Sequence, residues 1–367
     1  MKEFGWFAVI AGAVIFEVLT APGTALSGQA WKLSRSSQSG MVHFTVERSR
    51  PGSRSVNGSD VPLANFRGFS LDMLGHSRPA RFEYVQDAGR LVCQGKFLWG
   101  RGSGSFTVAP NPEFVAELNR LGFATPHEDE LFMLMLGNVN LEFARAIHEA
   151  GIGASLSQLI DLRLRGVTTQ YIRDVNQAGY RDFRAQDYID LRTHGVETGF
   201  LRDLKSAGYN LRARDIIDLR QHGVRSQFVG ELKEAGYNLS AGQITELSEH
   251  GVNSGFVRDL KLYGLRPAAM ELVQLRDHGV TPEYLRGLHD AGYGGISAED
   301  IIDLRQHGVP SDFVAAAGDL GYRFTPRELI DLRDHGVDAK YLRTLHDSGM
   351  RNLTESQITQ LRMHGVE

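Results

Sequence analysis

From Phe114 onward the chain copies itself. An aromatic residue opens each copy, at Phe114, Phe143, Tyr171, Phe200, Phe228, Phe256, Tyr284, Phe313 and Tyr341, always 28 or 29 residues after the last. Two glycine series keep the same beat, one running from Gly122 to Gly349 and the other from Gly137 to Gly365. A period of this length over nine copies restricts the fold to a stack of like units, because one unit alone cannot bury its apolar face.

Each unit reads as two short helices. Thr281 is a good N-cap, Pro282 suits the first helical position, and Tyr284, Leu285, Leu288 and Ala291 fall on one face. The second helix opens on capping-box patterns: Thr325 with Glu328, Thr354 with Gln357, and Ser297 with Asp300 in the Glu/Gln role. Its core face in the copy after Tyr284 is Ile301, Ile302 and Leu304. Helices of about ten residues are too short to hold alone in water, so neighbouring copies must supply the stability.

Seven histidines, His194, His222, His250, His278, His307, His335 and His364, each precede a Gly-Val pair. A row of imidazoles raises the idea of a metal ladder. Packed helices lie about 8–10 Å apart, whereas each ligand of a zinc ion sits about 2 Å from the metal, so successive copies cannot share one. The triplet reads instead as a helix ending, with Gly308 in the left-handed C′ position and Val309 set to meet Leu304 in a Schellman motif. Histidine then stands at the C-cap, where a donor near the last carbonyls is favoured.

Two arginine rows accompany the repeat. Arg192, Arg220, Arg276, Arg305, Arg333 and Arg362 lie two places before the histidines; Arg145, Arg173, Arg202, Arg258, Arg286 and Arg343 lie on the polar side of the first helix. The first row is expected to reach an acid in an adjacent copy, forming a charge ladder, with an exposed ligand-binding strip as the alternative. The second row breaks at Gly230 and Ala315. Both rows are the candidate interaction surface. Pattern breaks occur at Tyr263, Leu265 and Pro267 and at Gly318, where the stack is expected to bend or loosen. The apolar "ELFMLMLGNV" should pack on the preceding domain.

Residues 31–112 read differently. "MVHFTVER" alternates Val42, Phe44 and Val46 with polar residues, the period of a half-buried strand, and aromatic strands follow around Phe97 and Phe106. Cys93 alternates with Leu91 and reads as a buried thiol; as the sole cysteine it cannot form an internal disulfide. "GRGSG" at 100–104 lacks the Lys-Ser/Thr of a phosphate loop and reads as a bend or turn, and 48–60 as a polar loop. Residues 31–112 carry a net charge of +6 and residues 113–367 one of −9. The basic part, with Arg48, Arg50 and Arg54, suits an anionic polymer or lipid, and the acidic repeats argue against nucleic acid. The first 30 residues have a lysine, an apolar run from Trp6 to Phe16 and a small-residue end, the layout of a secretory signal cleaved after Ser27 or Ala30. The alternative is an uncleaved anchor, which would be the membrane contact. The expectation is thus an α+β chain: signal at 1–30, a small antiparallel β domain at 31–112, and an α-solenoid of about nine helix pairs at 113–367.

The repeat "LIDLRDHGVDAKYLRTLHDSG" and the segments "WKLSRSSQSGMVHFTVERSRPGSR" and "FEYVQDAGRLVCQGKF" resemble the extracytoplasmic tail of some acidobacterial sensor metallopeptidases of the beta-lactam-receptor type. The resemblance covers nearly all of the chain after the signal. It implies an envelope location and a link to membrane signalling. The relatives' His-Glu-x-x-His zinc motif is missing here, since His148-Glu149 continues Ala-Gly-Ile, so the peptidase activity does not carry over. With no serine-hydrolase elbow, metal triad or Walker loop in the sequence, the expectation is an exported, periplasmic or extracellular scaffold with a protein partner, no cofactor and no catalytic residues. The alternative is a regulatory partner of a membrane sensor.

Overall fold

The computed structural model describes residues 28–50 and 53–366; of the expected signal at 1–30, residues 1–27 lie outside them. The chain is α+β: a seven-stranded antiparallel sheet is followed by eighteen helices in a repeated arrangement among the described residues. Packing divides it into two compact units, residues through Thr198 and residues from Gly199. The first unit includes the sheet and the early repeats.

The strands are β1 (Gly28–Arg35), β2 (Met41–Arg50), β3 (Ser53–Pro62), β4 (Phe66–Arg67), β5 (Arg78–Gln86), β6 (Gly89–Leu98) and β7 (Arg101–Pro110), in the spatial order β3-β2-β1-β7-β6-β5-β4. β1 starts at Gly28, and Ala30 pairs with both Glu47 and Ser105, so the fold begins before residue 31. The expected alternation places Trp31, Leu33, Phe44, Val46, Phe82, Tyr84, Leu91, Cys93, Phe97 and Phe106 in the core. Trp31 meets Phe82 edge-on at 4.8 Å and donates its indole N–H to the Gln94 carbonyl at 3.1 Å. Burial pushes the Cys93 thiol up, which keeps it protonated.

Two expectations are corrected here. Residues 48–60 are not a polar loop: they contribute the end of β2 and most of β3, paired from Met41–Pro62 to Arg50–Ser53. Their polarity belongs to an edge strand, where exposed polar groups discourage pairing with other chains. Of the glycine run, Gly100 lies in a turn as expected, whereas 101–104 are strand. Gly104 faces Gly95 across β6 and β7, and a Cβ on Gly104 would lie 2.0 Å from the Gln94 carbonyl oxygen. A Cβ on Gly102 would meet Phe97 at 2.6 Å and Trp31 at 2.9 Å. The glycines thus let two strands approach closely and two rings settle on them. The turn itself is Trp99-Gly100, with φ of 41° and 91°, a type I′ hairpin.

Nearly every helix has nine residues. In the first unit Leu141–Glu149 packs on Pro112–Arg120 and Thr169–Gln177, while Leu156–Leu164 packs on Glu128–Leu136 and Ala185–Thr193. In the second unit Ala298–Gln306 lies between Ala269–Asp277 and Pro326–Asp334, and Ser311–Asp319 between Pro282–Leu288 and Ala339–Asp347. First helices stack on first helices and second on second, giving two layers. The caps are those the sequence implies. Thr281 accepts from the Tyr284 amide, and Thr325 and Thr354 make full capping boxes. Ser297 makes half of one, accepting from the Asp300 amide and donating its hydroxyl to the Asp300 carboxylate. Val309 donates to the Leu304 carbonyl at 2.9 Å and Gly308, at φ 64°, to the Arg305 carbonyl at 3.2 Å, the Schellman pair. Gly318 does not break its helix, Ser311–Asp319.

Glu128–Leu136, the apolar segment, seals the sheet against the repeats. Phe132 stacks on Phe106 at 5.7 Å, and the buried Arg48 lies over Phe132 while pairing with Glu128 and, at 2.6 Å, with Asp129. Arg48 is therefore a structural residue, removed from the basic cluster the sequence suggested. Arg54 pairs with Glu47 at 2.7 Å, and Arg50 ends β2.

Candidate interaction surfaces

The first arginine row is spent inside the stack. Arg192, Arg276, Arg305 and Arg333 each donate from Nε to the carbonyl of the C′ glycine one copy back, Gly166, Gly251, Gly279 and Gly308, at 3.1–3.2 Å. Arg192, Arg276, Arg305 and Arg362 lie over the rings of Tyr171, Phe256, Tyr284 and Tyr341, with 4.8–5.3 Å from Cζ to the centroid. A carbonyl and a ring are the main partners in place of the expected acid, and Arg192 also reaches the Glu197 carboxylate at 3.7 Å. The C′ glycine carbonyl lies beyond the helix ladder and has no intrahelical donor, and a guanidinium satisfies it while its flat face covers an aromatic. Arg220 is exposed.

Tyrosines complete the staple. Tyr171 donates its hydroxyl to the Val196 carbonyl and Tyr284 to that of Val309, both at 2.9 Å, and burial pushes each phenol up to about 12. Tyr237 and Tyr293 reach the Pro267 and Phe324 carbonyls in the same manner.

The acid ladder exists, but on the other row. Arg145 pairs with Glu117 at 2.9 Å, Arg173 with Glu142 at 3.3 Å and Arg258 with Glu231 at 3.7 Å, each a copy back. All are surface pairs, screened by water and salt, and contribute little to stability. Arg202, Arg286 and Arg343 are exposed. Nothing in the spacing distinguished the rows; the difference lies in which layer presents an acid at the right height.

The histidines take two roles. His194, His278 and His335 hydrogen-bond from Nδ1 to the carbonyl four residues back at 2.8 Å, closing their own helices. His250 pairs with Asp277 at 2.7 Å and His307 with Asp334 at 3.0 Å, across one copy. His222 does both, bonding the Asp218 carbonyl and reaching Glu249 at 3.2 Å. The Asp277 hydrogen bond raises the pKa of His250, and the Asp218 carbonyl raises that of His222. Among the described residues no group of three His, Cys, Asp or Glu side chains converges on a metal-sized site.

Two surfaces are off the repeat. Leu262 and Met270, in the copy that departs from the pattern, are 71% and 58% exposed, and Tyr263 there lies 4.9 Å from the His289 ring. On the sheet, the polar face forms a cleft of about 720 Å³ lined by Lys32, Ser34, His43, Thr45, Lys96, Arg101 and Ser103. Ladder pairs bring these together: Lys32 stands opposite Thr45 and Ser103, Ser103 opposite Lys96, and Ser34 opposite His43 and Arg101. His43 is engaged by Asp60 at 2.9 Å. The sequence reading missed Lys32, Lys96 and Arg101 because they are scattered over three strands; only their position on the polar phase of each strand could have linked them. No family model matches this chain, and no curated protein matches it. Among the described residues no helix is long and apolar enough to cross a membrane.

Proposed function

We propose that the chain is an exported, non-catalytic binding scaffold whose helical repeats hold out an extended surface for a protein partner. The observation that supports this best is the two-layer stacking of like helices within each compact unit, which gives each layer there an outer face. The repeated polar residues maintain that stack, as Arg305 on Gly279 and Tyr284 illustrates. Recognition then falls to residues that depart from the repeat, the exposed Leu262 and Met270. An exposed apolar side chain where other copies carry a polar one, as Leu262 does against Ser206 and Glu234, is a change that a contact would explain. Export fits the small-residue end of the leader, and cleavage after Ser27 would leave β1 whole.

The test is affinity capture with the full chain from the envelope of its host, followed by release and mass measurement of what was bound. A defined protein recovered unaltered supports binding without turnover. A partner recovered cleaved or modified, dependent on the chain, contradicts it.

A further inference from the structure

The two ends of the sheet differ. At one end the helices are attached: Asn111 bonds the Ala88 carbonyl, the Leu141 amide bonds the Asp87 carboxylate, and Arg48 holds Glu128 and Asp129. The opposite end carries the β6–β7 hairpin, and there the side chains break the usual rules. A type I′ turn calls for Asn or Gly at its first central position, yet Trp99 occupies it at φ 41°. It is 80% exposed, and the preceding Leu98 is 44% exposed. The tip is braced, with the Gly100 amide bonded to the carbonyl of the fully buried Leu74 at 2.6 Å.

Cations surround this tip. Arg101 follows it, Lys96 precedes it, Arg35 ends β1 beside it and Arg78 stands opposite Phe97. Among the described residues none of the four has a carboxylate within ion-pair distance. The acids at this end are Asp60, bonded to Ser36 and His43, and the exposed Asp72. A braced Leu-Trp tip ringed by cations that lack carboxylate partners, Arg35 holding only the Leu71 carbonyl, has the chemistry of a surface that meets an interface: the indole prefers the boundary between headgroups and acyl chains, and the cations prefer its negative potential.

We propose that this free end of the sheet docks on an anionic lipid membrane, seating Leu98 and Trp99 among the headgroups with Lys96, Arg101, Arg35 and Arg78 on the lipid phosphates. The proposal does not rest on the scaffold reading. A soluble polyanion would use the cations and leave the apolar tip in water, which is why the lipid surface is favoured.

Trp99 is its own reporter. In the full chain carrying Trp6→Phe, the remaining tryptophans are Trp31, which is buried, and Trp99. Vesicles of phosphatidylcholine containing phosphatidylglycerol should shift the Trp99 emission to the blue and expose it to quenching by brominated acyl chains. Lys96→Gln and Arg101→Gln should each weaken binding roughly fivefold, and added salt should weaken it further. Trp99→Asn suits the turn, so it should keep the fold while reducing binding severalfold. Emission that stays unmoved while the chain sediments with vesicles would overturn the proposal, since another segment would then be holding the membrane. An equal shift with inorganic polyphosphate and no lipid would also overturn it, in favour of a soluble polymer.

Discussion

In the sheet, Trp31 touches Phe82 and Phe97 and bonds Gln94, residues far away along the chain. In the repeats, Arg305 reaches back 26 residues to Gly279 and Tyr284 reaches forward 25 to Val309, and the same contacts recur copy after copy. The sheet is held by one aromatic cluster that exists only when all its strands are in place. The repeats are held by nearest-neighbour staples, each of which makes sense with only the adjacent copy present. Damage should therefore spread through the sheet and stay local in the repeats.

The largest effect is expected at Gly104. Gly104→Val places carbon against the Gln94 carbonyl and the Gly95 Cα, backbone atoms that cannot move aside singly, so a loss of more than about 3 kcal/mol is expected. Urea denaturation followed by circular dichroism measures it; a near-wild-type midpoint would show that the close approach of β6 and β7 is not required. Gly308→Val is a milder test of the other region. A Cβ there meets nothing within 4 Å, so its whole cost is the left-handed backbone, about 1–2 kcal/mol for a β-branched residue. Hydrogen exchange should quicken around the changed helix end and leave the sheet amides untouched.

Arg305→Ala should cost about 1 kcal/mol, from the lost carbonyl bond and the uncovered Tyr284 ring, discounted for exposure. Arg305→Lys should recover little of it, since an ammonium keeps the charge and loses the flat fork. A full recovery would mean that the staple is only electrostatic. The smallest effect concerns pH. His250 has a raised pKa in the fold because Asp277 accepts its hydrogen bond. Its contribution is present below the unfolded value of about 6.5 and is lost as pH rises through the folded value. The melting temperature should carry a small pH-dependent component across that window, and Asp277→Asn should reduce it while leaving the part that His222 contributes.

Much of the repeat was legible because its signals are local: Thr281 caps, Gly308 ends, and their spacing alone sets the stack. The partners of Arg305 were not, because a carbonyl one copy back leaves no residue-type signature; only the helix-end geometry exposes it. The sheet was legible where one face is buried, as at Val42 to Val46, and illegible at β3, where an edge strand has polar residues throughout most of its length. The basic cleft stayed hidden for a related reason. Lys32, Lys96 and Arg101 meet only through the order β1-β7-β6, a pairing of the first strand with the last.

The central claim is that repeated side chains hold the stack and that exceptional ones do the binding. Photo-crosslinking amino acids placed singly at Leu262 and Met270, and at the in-pattern positions Arg202 and Arg286, test it most directly in the native envelope. The expected result is a defined protein adduct at Leu262 or Met270 that is absent or much weaker at the arginine positions. Equal adducts at all four, or adducts at Arg202 and Arg286 alone, would contradict it and place recognition on the regular face of the repeats.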